Sequence, residues 1–93
     1  MDTDKRRLLH ELLDLVLDTN GFEERVRAAT GNMPTVFFEY SGHTNGVRID
    51  LHSNGWMPKE KPDRSWKFYL DLDDPQETID DIKEAVNKAL EGK

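Results

Sequence analysis

Thr35-Val36-Phe37-Phe38-Glu39-Tyr40, Val47-Arg48-Ile49-Asp50-Leu51-His52 and Trp66-Lys67-Phe68-Tyr69-Leu70-Asp71-Leu72 are three runs whose apolar side chains recur with period two. Runs of this kind within residues 35–72 predict three antiparallel strands. One sheet face would carry Val36, Phe38, Tyr40, Val47, Ile49, Leu51, Trp66, Phe68, Leu70 and Leu72. Such a face must be covered, and only the flanking segments can cover it, as helices. The predicted fold is α+β: a three-stranded antiparallel β-meander with an N-terminal and a C-terminal helix packed on one face. The order is α-(short α)-β-β-β-α in two layers, and the expected unit is a single domain spanning residues 1–93.

Asn45-Gly46 between the first two runs is a strong hairpin signal. A two-residue Asn45-Gly46 turn would set Tyr40 opposite Leu51 and Glu39 opposite His52. A four-residue loop from His43 to Gly46 would set Phe38 opposite Leu51 and Tyr40 opposite Ile49. Both registers keep the apolar residues on one face, so the pattern excludes only a one-residue slip. The connection from Ser53 to Ser65 is long for neighbouring antiparallel strands. Asn54-Gly55, Pro58 and Pro62 make it irregular, and it carries Trp56 and Met57 among Lys59, Lys61 and Arg64.

Outside the sheet, residues 3–19 read as a helix, with Thr3 able to cap it and Asp4 in its first turn. Leu8, Leu9, Leu12, Leu13, Leu15, Val16 and Leu17 make a stripe wider than one sheet face needs, which points to a second contact. Asn20-Gly21 should end this helix. Phe22 to Thr30 reads as a short second helix from Phe22, Val26 and Ala29, with Asn20 and Glu23 as a capping box. A period-two reading of Phe22, Glu24, Val26 and Ala28 offers a strand instead; the residue propensities favour the helix. Asp74-Pro75-Gln76-Glu77 is a well-formed helix start. Ile79, Ile82, Ala85, Val86, Ala89 and Leu90 give residues 75–91 a buried stripe before Gly92.

Ninety-three residues suffice for one core without crosslinks, and there is no cysteine, which excludes disulfides, thiolate catalysis and the usual structural zinc sites. The N-terminal stretch is too polar for a signal peptide and too short for a membrane span, so a cytoplasmic protein without membrane contact is expected. A net charge of −6 argues against direct nucleic-acid binding. The charge is concentrated in Asp73, Asp74, Glu77, Asp80, Asp81 and Glu84, opposed there only by Lys83. A protein partner meeting that region should therefore present a basic surface.

No P-loop, dinucleotide fingerprint, His-Glu-x-x-His, EF-hand or Gly-x-Ser-x-Gly motif occurs, and no cofactor is expected. Glu39 opposite His52 would allow a carboxylate to orient an imidazole, but interleaved acids and bases are also what a solvated sheet face displays. His10, His43 and His52 lie on different predicted elements without ligand spacing, so no metal site is expected. Trp56 and Met57 suit a protein–protein contact, unless Trp56 instead closes one end of the core. Capping accounts for Asp74 and Glu77 but less well for Asp80, Asp81 and Glu84, whose carboxylates could meet a basic partner.

The expectation is thus a small, non-enzymatic binding or regulatory protein acting through Trp56, Met57, Asp80, Asp81 and Glu84. Homodimerisation through a sheet edge, or through the surplus leucines of the first helix, is a further expectation. The element order and acidic surface are similar to those of small bacterial or phage-encoded proteins, including inhibitors that mimic nucleic acid. That resemblance, at the level of fold alone, implies the alternative: an acidic inhibitor of a nucleic-acid-binding protein.

Overall fold

The three alternating runs form one antiparallel sheet in the order β1-β2-β3, with β1 at Thr35–Ser41, β2 at Gly46–His52 and β3 at Arg64–Tyr69. The computed structural model describes residues 3–21 and 25–92. Helices α1 (Thr3–Asn20) and α3 (Pro75–Glu91) pack on the inner face of the sheet and on each other. Between α1 and β1, the chain makes a single helical turn, α2 (Arg27–Thr30). The fold is the predicted α+β arrangement.

The core lies where both helices meet the sheet. Leu8, Leu12 and Val16 of α1 and Ile79, Ile82 and Val86 of α3 are buried against Val36, Val47, Ile49, Leu51, Phe68 and Leu70. The alternation that predicts the inner face holds best in the central strand β2, where Val47, Ile49 and Leu51 are all but inaccessible. At the sheet margins it is diluted. Tyr40 is 48% exposed on edge strand β1, and Phe38 and Trp66 are only partly buried.

Helix ends follow the local chemistry. Gly21 takes φ 70° and its N–H donates to the Leu17 carbonyl at 2.9 Å, a left-handed cap that ends α1. At the start of α3, the Asp74 carboxylate accepts from the Gln76 N–H at 3.1 Å, and Pro75 occupies the first turn. The Asn20–Glu23 capping box and the start of the expected Phe22–Thr30 helix lie outside the described residues. The rest of that segment is the one turn of α2 entered from an extended Val26, not a strand.

Three expectations are corrected. The β1–β2 register is neither of the two anticipated: Phe38 faces Ile49, Tyr40 faces Val47 and Glu39 faces Arg48. The loop is Gly42–Asn45, with Asn45 at φ 57° supplying the left-handed residue. Gly46 is already in the strand, where a Cβ would come within 3.3 Å of the Tyr69 ring. Glycine therefore serves close packing here, while asparagine makes the turn. The second correction follows from the first: His52 faces Thr35, so Glu39 and His52 form no pair.

The third concerns Leu72, which is 78% exposed rather than on the core face. β3 ends at Tyr69 because β2 has no residue beyond Gly46 left to pair with it. The chain then turns, with the Leu72 and Asp73 N–H groups donating to the Tyr69 carbonyl at 3.2 and 2.8 Å.

Candidate functional site

The long connection between β2 and β3 folds onto the outer face of the sheet at the end where His52 and Thr35 lie. Its two ends are clamped together. The Ser53 N–H donates to Asp63 Oδ1 at 2.8 Å, the Ser53 hydroxyl donates to Asp63 Oδ2, and the Asp63 N–H donates to the Leu51 carbonyl at 3.0 Å. Burial opposes ionisation of Asp63, but these Ser53 hydrogen bonds, its own N–H and the charge of His52 outweigh it. Its carboxyl is held below the usual carboxylate value.

Arg27 braces the middle of the loop. Its guanidinium donates to the carbonyls of Asn54 at 2.9 Å and Gly55 at 3.0 Å, and to Glu60 Oε1 at 2.6 Å. Its backbone N–H donates to the Trp56 carbonyl at 2.8 Å. Gly55 sits so close to the α2–β1 connection that a Cβ would lie 2.8 Å from the Gly31 carbonyl oxygen. Two segments far apart in sequence are thus locked together over the sheet.

This brace sets the position of Trp56. The indole is half-buried beside Phe37, with ring centroids 6.5 Å apart, and belongs to the outer face rather than to the core between sheet and helices. Phe37 in turn lies 5.4 Å from the His52 ring, which is buried and whose Nδ1 has no hydrogen-bond partner among the described residues. Phe37 is 42% and Met57 40% exposed. The sequence marks Trp56 and Met57 but not Phe37, which alternation assigns to a solvated face. The doubled Phe37-Phe38 was the available signal: one of two adjacent aromatics in a strand must face away from the core.

The acidic residues lie on the other side of the sheet, along α3. Asp81 is engaged within the molecule: its Oδ2 accepts from Trp66 Nε1 at 2.8 Å and from Arg64 Nη2 at 2.9 Å. The Trp66 hydrogen bond, with the Arg64 charge and hydrogen bond, outweighs desolvation and lowers its pKa. Arg64 also lies over the Trp66 ring, 4.7 Å from its centroid. Asp80 accepts from Gln76 Nε2 at 2.9 Å. Around them runs an open groove of about 460 Å³ lined by Trp66, Glu77, Thr78, Asp80, Asp81 and Glu84.

The five residues singled out from sequence therefore fall into two separate places. Trp56 lies beside Phe37 on the outer face, with Met57 exposed next to it in the chain; Asp80, Asp81 and Glu84 line a groove on the helical side. His10, His43 and His52 lie in α1, the β1–β2 loop and the end of β2. No group of three or more His, Asp or Glu side chains that could hold a metal ion occurs among the described residues. No helix among them is long and apolar enough to cross a membrane. No family model, curated protein or solved structure matches the chain.

Proposed function

We propose that this is a small cytoplasmic binding or regulatory protein, not an enzyme, that engages a protein partner through the patch formed by Phe37, Trp56 and Met57. One observation carries the reading: the loop that presents Trp56 is braced at both ends and in the middle by hydrogen bonds that do not involve the indole. A large aromatic held at the surface by its backbone loses little freedom on contact, which is the property of an interface anchor. Phe37 in ring contact and Met57 next in the chain add apolar surface, and Lys59 and Lys61 follow, exposed, in the same loop.

The partner tests it. Trp56→Ala should lower affinity for a purified partner by about tenfold or more, as interface aromatics do. The melting temperature should change far less than for a core truncation. Unchanged affinity would show that the patch is not the contact surface.

The acidic groove supports a second reading, a surface that imitates a phosphate backbone toward a basic partner. Asp80 and Glu84 are the residues to alter, because Asp81→Asn would also disturb the Arg64 and Trp66 contacts that join α3 to β3. If this reading holds, the double variant Asp80→Asn, Glu84→Gln weakens capture, and binding falls steeply with added salt. Salt-independent binding would exclude it.

A further inference from the structure

β1 is an edge strand, and its open side is closed only at one end. There, the Asn20 carboxamide takes both outward groups of Val36: Oδ1 accepts from its N–H at 2.9 Å, and Nδ2 donates to its carbonyl at 2.8 Å. Successive residues of an antiparallel strand point their hydrogen-bonding groups to opposite sides, so those of Phe38 and Tyr40 face the same open side as Val36. They have no partner among the described residues. Beneath this edge, between α1 and β1, lies an apolar groove of about 350 Å³ lined by Arg6, Leu9, His10, Leu13, Phe38 and Tyr40.

The opposite edge is protected differently. β3 carries Lys67 at its centre, and Tyr69 at its end donates its N–H to Asp73 Oδ2 and accepts from Leu72 and Asp73. A cation and a returning chain are ordinary means of blocking strand addition. On β1 only Val36 is blocked.

We propose that the β1 edge is a self-association surface. Two copies of this chain join β1 to β1 antiparallel about a two-fold axis, giving a six-stranded sheet with their α1 helices side by side. The charge pattern of α1 selects a second copy as the occupant. Of the cations in its first half, Lys5 donates inward to the Leu70 carbonyl and Arg7 lies 3.9 Å from Asp4, which leaves Arg6 exposed over the groove, while Asp14 and Asp18 lie exposed in its second half. A two-fold axis reverses one helix against the other, so Arg6 of each copy meets the carboxylates of its mate. Arg6, His10, Leu13 and Leu17 fall at i, i+4, i+7 and i+11, one stripe of the helix. Leu13 is 39% and Leu17 58% exposed, so the stripe is available for contact.

Helix and strand agree on where the axis falls. Asn20 is level with Val36. Tyr40 lies about 13 Å further along the strand, and the same distance back along α1 spans about nine residues, to the level of residue 11. An axis at Tyr40 sets Tyr40 against Tyr40, and Glu39 against Ser41 of the other copy. On the helices, it sets Arg6 between Asp14 and Asp18 of the other copy. An axis at Glu39 would place two carboxylates face to face, which is unfavourable. The surface is separate from the Phe37–Trp56–Met57 patch and does not rest on the function proposed for it.

Sedimentation of the full chain from about 1 μM to about 1 mM tests the proposal. The expected result is a shift from 10.8 kDa toward twice that mass as concentration rises. Tyr40→Pro removes an outward N–H that the single chain does not use and should weaken association by tenfold or more. Tyr40→Ala, which keeps that N–H, should weaken it less. Arg6→Glu should also weaken association, and Arg6→Glu combined with Asp14→Arg and Asp18→Arg should restore it. If Tyr40→Pro does not fold, the charge reversals decide. A mass of 10.8 kDa throughout overturns the proposal, as does a dimer indifferent to the Tyr40→Pro and charge-reversal variants.

Discussion

Single residues do most of the work of holding the β2–β3 connection against the outer face. Gly55 combines φ +85° with a backbone approach that leaves no space for a side chain. Gly55→Ala should therefore cost about 1–3 kcal/mol, measured by urea denaturation, through both backbone strain and displacement of the Gly31 segment. Asp63 makes a different prediction, in pH. Its folded-state pKa is lowered, so it contributes stability above the unfolded value of about 3.9, and that contribution is lost as pH falls through the folded value. Asp63→Asn should be less stable than the parent at neutral pH. The gap should close in acid, as followed by thermal melts across that range. A gap that persists at low pH would mean that the Ser53 clamp does not depend on the charge.

At the scale of elements, the legible parts of the fold are those where local signals and burial agree. Asp74-Pro75 starts α3, Gly21 ends α1, and the alternation of β2 is visible because both of its neighbours are strands. The hairpin register was not legible. Asn45-Gly46 predicts a turn correctly, but which of its two residues turns depends on Tyr69, a residue of the third strand that packs on Gly46. Leu70 and Leu72 show the same limit. Period two puts both in the core, yet Leu70 is 3% and Leu72 78% exposed, because the strand stops when its partner runs out. Leu70→Ala should accordingly cost about 2–5 kcal/mol in denaturant titration, and Leu72→Ala no more than about 0.5. Equal losses would place Leu72 in the core after all.

Across the whole molecule, the sheet divides two environments. Its inner face makes the core with α1 and α3, and its outer face is covered at one end by the loop and the α2 segment, which sets Trp56 beside Phe37 and leaves Met57 exposed next in the chain. That Trp56 and Met57 stand out was legible as an apolar pair in a long, polar loop. The part played by Phe37 was not, since it requires knowing on which face the loop comes to rest. Nor could sequence show that Asp81 is engaged by Arg64 and Trp66, residues drawn from another element. Asp81 of the acidic run thus serves to join α3 to β3. Contact of the Phe37–Trp56–Met57 patch with a protein is tested by a photo-crosslinking residue placed at Met57 in the native cell. The expected result is a discrete protein adduct that is lost when Trp56→Ala is added and kept when Leu72→Ala is added. No adduct at position 57, or one that Trp56→Ala leaves undiminished, would contradict it.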